Sequence, residues 1–424
     1  MKRVLIGLAL GALALLVLVW SLNLRGEDRI HDAPPAPAPT AQQVARGAYL
    51  ARLGNCATCH TGRGGAAYAG GRGIETPFGV VYSSNITPDA ATGIGNWSAG
   101  EFWRALHNGR SRDGRLLYPA FPYPNYTLVT RADADALFAF LRSQPAVRQA
   151  GKPHALDWPF SSQAALAVWR ALYFRPASFA GNPVQSADWN RGAYLVDGLG
   201  HCSACHTQRN ALGASSNMLD LSGGLIPMQN WYAPALTSPA EASVADWPLE
   251  QVVRLLQTGI APRGNVLGPM AEVVLTSTQH WNADDLRAIA VFLKALPQTP
   301  ATARIGSAAV NPRVAERGAK LYEQHCVQCH GGQGQGVPGA YPPLAGNRAV
   351  LMSQTANLVQ VVLNGGFAPA TAGNPRPFGM PPYALLLSDA DVAAVLTHVR
   401  TSWGNRAPLV GELDVSRQRS SGTQ

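Results

Sequence analysis

The first apolar run of the chain extends from Val4 to Trp20 and follows two basic residues. As a helix with 1.5 Å per residue it would be about 26 Å long, which is near the minimum for a membrane span. Basic residues before the run favour a cytoplasmic N-terminus and export of the rest of the chain. No small-x-small cleavage site follows, so we expect residues 1–25 to be an uncleaved anchor, with a removed signal peptide as the alternative.

Residues 26–40 are rich in proline and alanine and contain the stretch APPAPAP. Proline-rich chains are extended and semi-rigid. This composition predicts a linker that holds the following domains off the bilayer.

Beyond residue 40 the apolar positions recur with the helical period, and one order of elements is repeated three times. Each repeat has a short helix with an Arg-Gly pair, a middle helix that ends at glycine, and a closing amphipathic helix. Glycine inside a helix costs about 1 kcal/mol relative to alanine, so these glycines indicate close helix packing. Few stretches alternate with the period of a strand, and the predicted class is therefore all-α with long loops. The pairs are Arg46-Gly47, Arg191-Gly192 and Arg317-Gly318; the middle helices are predicted over 97–109, 247–259 and 353–365, and the closing helices over 131–143, 282–295 and 388–401.

A chain of 424 residues is long enough for two to four domains. The repeat predicts three domains of about 100 residues each. We expect them over 41–150, 185–300 and 308–405, with a connector over 151–184 and a polar tail over 406–424.

The composition is that of a chain that can fold, with 46% hydrophobic and 14% charged residues and a formal net charge of +9. An excess of positive charge is typical of proteins that bind nucleic acid, anionic lipid or an acidic partner. Here the basic residues are nearly all arginines, and they are scattered without a basic run. This distribution argues against nucleic acid as a partner.

All six cysteines lie in three copies of one pattern, C-x-x-C-H. Two thiols on one helical turn reach the two vinyl groups of a porphyrin, and the histidine that follows lies under the iron as the proximal ligand. Zinc is one alternative, but three C-x-x-C pairs cannot be shared evenly among sites of four thiolates. A thioredoxin-like redox pair needs a βαβ context, which the sequence lacks. We therefore predict three covalent c-type haems, on Cys56, Cys59 and His60, on Cys202, Cys205 and His206, and on Cys326, Cys329 and His330.

At these motifs the chain resembles class I cytochrome c domains, three in tandem. Over nearly the whole exported part it is similar to the triple-haem cytochrome c subunit of bacterial membrane-bound dehydrogenases of alcohol, gluconate or aldehyde. The stretches that carry the resemblance are NITPD at 85–89, GIGNW at 93–97, LYPA at 117–120 and WNRGAYL at 189–195.

The resemblance implies a chain on the periplasmic side of the bacterial cytoplasmic membrane. It implies that the chain accepts electrons from a catalytic subunit, which is a quinoprotein, a flavoprotein or a molybdenum enzyme. The electrons would pass through the haems to ubiquinone or another respiratory acceptor. The substrate chemistry would then reside on the catalytic subunit.

In domains of this kind the sixth iron ligand is usually a methionine in the loop before the last helix. Met380 stands in such a loop in the third domain, and Met270 does so in the second. Met218 and Met228 compete with Met270 but precede the middle helix. For Met380 the alternative is a methionine that merely fills a gap in the core.

The first domain departs from this pattern because Phe121 stands where methionine is expected, and phenylalanine cannot bind iron. No methionine occurs between Met1 and Met218, so the domain has none of its own. The candidate distal ligands are His107 and His154, and a five-coordinate or water-bound iron is the third possibility. His107 has a simpler interpretation as a histidine stabilised at a helix C-terminus. We expect the first haem to lack methionine ligation and to differ in reduction potential from the others.

The function expected from these features is electron transfer, without a substrate site on this chain. A free-standing haem enzyme with an open first haem is an alternative, although the sequence reveals no distal acid or base for it. A cytochrome module of an oxidase complex is another. The aromatic connector over 158–174 is expected to pack between domains, with docking of the catalytic subunit as the alternative.

Overall fold

The structure is a computed structural model, and it describes residues 1–27, 30, 38–215, 220–300 and 309–420. The chain divides into two compact units. Unit 1 comprises Met1–Pro183, Tyr194–Ala204 and Arg209–Met218; unit 2 comprises Val184–Ala193, Cys205–Gln208 and Leu219–Gln424.

Most regular structure in unit 1 is helical, as the sequence predicts. The helices before residue 183 are α1 (Lys2–Asn23), α2 (Ala41–Leu53), α3 (Cys56–His60), α4 (Ala99–Asn108), α5 (Tyr123–Tyr126), α6 (Arg131–Arg142) and α7 (Gln163–Tyr173). A π-helix follows over Tyr194–Leu199.

The remaining helices lie in unit 2, except that α9 begins in unit 1 and ends in unit 2. They are α8 (Ala187–Ala193), α9 (Ser203–His206), α10 (Leu249–Thr258), α11 (Pro269–Thr276), α12 (Ala283–Lys294), α13 (Pro312–His325), α14 (Val327–His330), α15 (Arg348–Leu351), α16 (Ala356–Asn364), α17 (Asp389–Thr401) and α18 (Glu412–Ser420). A 3-10 turn spans Thr278–His280.

The ends of the helices follow local capping chemistry, which is why the predicted bounds agree with the observed ones to within a few residues. Ser98 begins α4 with a capping box, in which Glu101 N donates to the serine hydroxyl and the Glu101 carboxylate accepts from Ser98 N. Gly109 ends the same helix in the left-handed conformation, with φ of 58°. The middle and closing helices predicted from the sequence are confirmed as α4, α10 and α16 and as α6, α12 and α17.

Short antiparallel strands are the part of the fold that the sequence does not predict. They form a three-stranded sheet in the order β1-β2-β3 and three two-stranded hairpins. The prediction of a purely helical class therefore needs these additions, although no described strand is longer than four residues. The strands are β1 (Gly73–Thr76), β2 (Gly79–Tyr82), β3 (Ala155–Leu156), β4 (Gly224–Ile226), β5 (Trp231–Ala233), β6 (Ile260–Ala261), β7 (Gly264–Asn265), β8 (Gly366–Phe367) and β9 (Gly379–Met380).

Three pairs of helices cross at the predicted glycines. In each pair the glycine of the first helix lies directly against a backbone carbonyl of the closing helix, where a Cβ would overlap the oxygen. The prediction that these glycines mark close helix packing is confirmed. The crossings join Gly47 of α2 to Ala136 of α6, Gly192 of α8 to Ala288 of α12, and Gly318 of α13 to Ala394 of α17.

An arginine next to each glycine forms an ion pair across the same crossing. Its Nε donates to an aspartate in the first turn of the closing helix, three residues before the alanine at the crossing. The repeated pair fixes the rotation of one helix about the other, and it is found in the same place in all three crossings. The distances are 2.8 Å for Arg46–Asp133, 2.7 Å for Arg191–Asp285 and 2.8 Å for Arg317–Asp391.

The aromatic connector packs within unit 1 over most of its length. The Phe160 ring lies 4.3 Å from that of Phe78, and the Phe174 ring lies 4.7 Å from that of Tyr123. Trp169 donates from its indole nitrogen to the carbonyl of Leu212 at 2.9 Å. These contacts show packing within unit 1; the expected packing between domains stays a prediction.

Candidate functional site

Each C-x-x-C-H motif ends in a short helical turn. The turns are α3, α9 and α14, and the histidine predicted as proximal ligand is the last residue of each. The backbone enters the first turn through Asn55, with φ of 51°, and approaches the second through His201, with φ of 39°. These left-handed residues separate the turn from the preceding helix, and the turn sets the two thiols and the imidazole along one side. All six cysteines are described, and none is in a disulfide.

Each of the three motif histidines makes the same kind of hydrogen bond. In each, Nδ1 bonds to a backbone carbonyl of a loop that follows the motif, so Nδ1 carries the proton and Nε2 keeps its lone pair. The imidazole is thereby oriented and left with a free nitrogen of the kind that an iron ligand needs. The bonds are His60 to Ser84 O at 2.8 Å, His206 to Pro234 O at 2.7 Å and His330 to Pro342 O at 3.1 Å.

Burial makes these side chains neutral. It lowers the pKa of His60, His206 and His330, against the smaller opposing effect of the carbonyl bond. A neutral imidazole is the form that binds a metal.

Two of the thiols, on the partly buried Cys56 and Cys326, also have raised pKa values. Burial, with a smaller contribution from Cys59, raises the pKa of the Cys56 thiol to about 12. Burial and Cys329 raise the pKa of the Cys326 thiol to about 11. A reactive redox cysteine has a lowered pKa, so that alternative does not suit these two thiols. Thioether attachment of a porphyrin does suit them, and the donor set of each motif fits haem.

Phe121 stands where a methionine was expected, and it packs against an aromatic side chain next to the first motif. Its ring is 5.3 Å from that of Tyr126. The buried Tyr126 hydroxyl donates to the carbonyl of Gly54, two residues before Cys56, at 3.1 Å. Phe121 is therefore only one side chain away from the backbone that carries the first motif.

The two histidines considered for the first iron are held in different ways. His107 is buried near the C-terminus of α4, and its ring stacks on that of Trp103 at 4.5 Å with an interplanar angle of 17°. His154 accepts from the backbone N–H of Tyr82 through Nδ1 at 3.1 Å, and its ring meets Tyr118 edge-on at 5.0 Å. Both rings therefore have well-defined packing partners.

The predicted distal methionines are partly buried and lie at the ends of short elements rather than in the loops expected from the sequence. Met380 is the last residue of β9, whose partner strand is β8. Met270 is the second residue of α11. Met228, a competitor, is 48% exposed. Met218 lies outside the described residues.

Sequence reasoning missed the carbonyls that orient the histidines. Ser84, Pro234 and Pro342 follow their histidines by 24, 28 and 12 residues. No constant spacing or side-chain type marks them, because the acceptor is the backbone. A loop after each motif was the only available signal.

Sequence reasoning also missed two arginines beside the first two motifs. Arg72 donates to the carbonyl of Thr58 at 2.8 Å, and Arg209 donates to that of Ala204. Each carbonyl belongs to the residue before the second cysteine, so a guanidinium lies against the equivalent peptide of each motif.

These features define a cytochrome c. The cytochrome c family model matches residues 44–145 and 315–403, which contain the first and third motifs, and the second motif lies between these regions.

Relatives extend the likeness over most of the chain. It is 39% identical over 405 residues to the cytochrome c subunit of an alcohol dehydrogenase (quinone) from Gluconacetobacter polyoxogenes. This alignment covers 91% of this chain and 86% of the relative. It is 35% identical over 429 residues to the gluconate 2-dehydrogenase cytochrome c subunit of Pantoea cypripedii, with 97% and 95% covered. It is 32% identical over 447 residues to the fructose dehydrogenase cytochrome subunit of Gluconobacter japonicus, with 97% and 89% covered. The chain belongs to the family of cytochrome c subunits of membrane-bound dehydrogenases, and its function is electron transfer.

Proposed function

We propose that the chain carries three covalent c-type haems and relays electrons from a partner dehydrogenase to a respiratory acceptor. The observation that carries the proposal is the hydrogen bond from each of three motif histidines to a loop carbonyl, which prepares three equivalent proximal ligands. The three matching helix crossings support three cytochrome c domains over 41–150, 185–300 and 308–405. When bound, each haem supplies an iron that gains and loses one electron.

The chain's own residues provide attachment, orientation and a dry environment. The cysteine pairs provide the thioether sulfurs, and His60, His206 and His330 provide the proximal nitrogens. Met380 and Met270 are the proposed distal ligands of the third and second irons. For the first iron we propose no methionine ligand, since Phe121 occupies the corresponding loop; His107 remains the candidate if an imidazole binds there.

The partner is a separate catalytic dehydrogenase subunit, with a quinone, flavin or molybdenum cofactor. The relatives with alcohol, gluconate and fructose dehydrogenase names support a dehydrogenase partner. Ubiquinone or another respiratory carrier is the proposed acceptor. In the part of the chain that the structure describes, α1 is long and apolar enough to cross a membrane. We propose that it anchors the chain with the haem domains on the periplasmic side.

The test is to count haems and then to reduce them through the partner. Intact mass and the pyridine haemochrome of the purified chain should give three haems per chain. The double variant Cys326→Ala/Cys329→Ala should give two, while Cys326→Ala alone should retain one thioether at that site. Pull-down of the tagged chain should recover a dehydrogenase whose substrate reduces the haems. Two haems in the native chain, or no reduction by the recovered partner, would contradict the proposal.

A further inference from the structure

A buried asparagine at the end of α1 makes hydrogen bonds to the rest of unit 1. The Asn23 side-chain amide donates to the carbonyl of Ala167 in α7 at 2.9 Å, and its oxygen accepts from Nε of Arg170 at 3.0 Å. Arg110 donates to the Asn23 backbone carbonyl at 3.0 Å. Asn23 is 9% exposed and Arg170 is 3% exposed. A hydrogen-bonded polar cluster of this burial holds the helix end in one position.

The residues just after α1 continue this attachment. The Glu27 carboxylate accepts from Nε of Arg110 at 2.7 Å, and the Gly26 carbonyl accepts from the side chain of Asn108 at 3.0 Å. The contacts that tie the chain to the rest of unit 1 therefore start directly at the end of α1, within the first residues of the predicted linker. The proline-rich stretch that was expected to hold the domains off the bilayer lies mainly outside the described residues.

Helix α7 presents an apolar stripe to the outside. Its inward face carries Leu166 and Arg170, both buried, whereas Ala164, Val168 and Leu172 are exposed at the spacing i, i+4, i+8. Residues at this spacing share one face of a helix. A charged or polar face would be expected here if the helix faced only water.

The stripe and the turn before α7 hold the large hydrophobic side chains that are most exposed in the described part of unit 1 after α1. Trp158 is 85% exposed, Leu172 64% and Val168 48%. Exposed large hydrophobic side chains on one face of a helix and in the turn before it indicate contact with lipid or with another protein.

The contact of α7 with α1 indicates that the exposed face of α7 meets the membrane. Packed helices lie about 8–10 Å apart, so α7 is within that distance of the last turn of α1. Trp20 in that turn is 66% exposed, and tryptophan is enriched where a span leaves the hydrocarbon. Two exposed arginines flank the same region: Arg25 follows α1, and Arg175 precedes Pro176, against which Gly26 lies. Guanidinium groups suit the phosphates of lipid headgroups.

We propose that α7 lies in the headgroup region of the membrane that α1 spans, with Val168, Leu172 and Trp158 inserted at the interface and Arg25 and Arg175 on lipid phosphates. The proposal rests on the anchoring of the chain by α1 that is proposed above. With α7 at the interface, the first domain lies directly on the membrane and is not held away from the bilayer by a linker.

The test measures the reagent accessibility of engineered thiols in the full-length holoprotein. Leu172→Cys, and Val168→Cys as a second position, are compared with Asp135→Cys on α6 of the same unit. The Asp135 side chain is 39% exposed, and its ion pair with Arg131 lies on the surface, where such a pair contributes little. The native chain measures background labelling. Each protein is reconstituted in vesicles of phosphatidylethanolamine and phosphatidylglycerol, and labelling rates are taken with a charged and an apolar maleimide.

We expect the charged maleimide to label Leu172→Cys and Val168→Cys at least about tenfold more slowly than Asp135→Cys, while the apolar maleimide reaches all three. Equal rates with the charged reagent in vesicle-bound protein would overturn the interfacial position of α7 and leave the anchor intact. Equal rates in the isolated chain that become unequal only after the dehydrogenase is added would overturn it in favour of a protein contact. Protein that fails to float with the vesicles would overturn both this inference and the anchor. Electron transfer is judged separately, by reduction of the haems with the partner's substrate.

Discussion

The α carbon of Gly192 lies against the carbonyl oxygen of Ala288, so closely that a Cβ at this position would overlap the oxygen. The contact is between backbones of α8 and α12, and neither can move without separating the helices. Trp189 and Phe292 pack beside it, with ring centroids 5.1 Å apart. The crossing therefore tolerates only glycine.

We expect Gly192→Ala to destabilise the chain by about 2 kcal/mol or more, since overpacking of a tight contact typically costs about 1–3 kcal/mol. The measurement is denaturant unfolding of the holoprotein followed by circular dichroism. Gly151→Ala is the matched control: nothing lies within 4 Å of the Cβ that it adds, and the change should stay within about 0.5 kcal/mol. Equal effects of the two substitutions would show that the crossing is not tight.

Methionine ligation of the second and third irons predicts a specific spectroscopic loss. Met380→Leu and Met270→Leu should each remove one equivalent of the near-infrared Met-to-iron band and lower the reduction potential of one haem, because Met/His ligation raises it. Met228→Leu, at a 48% exposed position, is the control and should change neither. A full band in Met380→Leu would remove Met380 from the ligand set.

At the first haem, replacing Phe121 by methionine should produce the opposite change, a gain of the Met-to-iron band. Phe121→Met supplies the missing thioether in the loop where a methionine is expected, so it should add one equivalent of the same band and raise one potential. Phe121→Leu changes the volume without adding a ligand and should leave the band at its native intensity. If Phe121→Met matches Phe121→Leu, Phe121 does not lie over the iron.

Asp197 predicts a pH dependence of stability. Burial raises the pKa of its carboxyl to about 7 in the folded chain, whereas the unfolded carboxyl titrates near pH 3.9. The folded chain binds the proton more tightly, so this contribution is fully present below about pH 4 and is lost as the pH rises through about 7. Asp197→Asn should flatten the fall of the unfolding free energy over this interval, measured by denaturant titration at several pH values. The exposed Asp113→Asn is the control, and a native slope in Asp197→Asn would contradict the assignment.

The helices and motifs were predictable because their signals are local. The glycines at 47, 192 and 318 stand at points where a helical pattern continues through an unfavourable residue, which indicated a packing reason. The C-x-x-C-H spacing carries its chemistry within five residues. The haem-site residues themselves remain predictions that the experiments above test.

Other features could not be predicted because they depend on contacts distant in sequence. The hairpin of β8 and β9 has two residues per strand, too few for an alternating pattern. The carbonyl of Ser84 has no side-chain signature. Asn23 is an ordinary polar residue at the end of an apolar run, and its role follows only from its proximity to Arg170, which lies 147 residues further along the chain.

The proposed haem set is tested most directly by the near-infrared magnetic circular dichroism of the fully oxidised holoprotein, with the Met-to-iron band normalised to the haem count. We expect three haems per chain and a band of two equivalents, with the remaining haem of another ligation. A band of three equivalents would contradict the distinct first haem, and a band of one or none would contradict the assignment of Met270 and Met380.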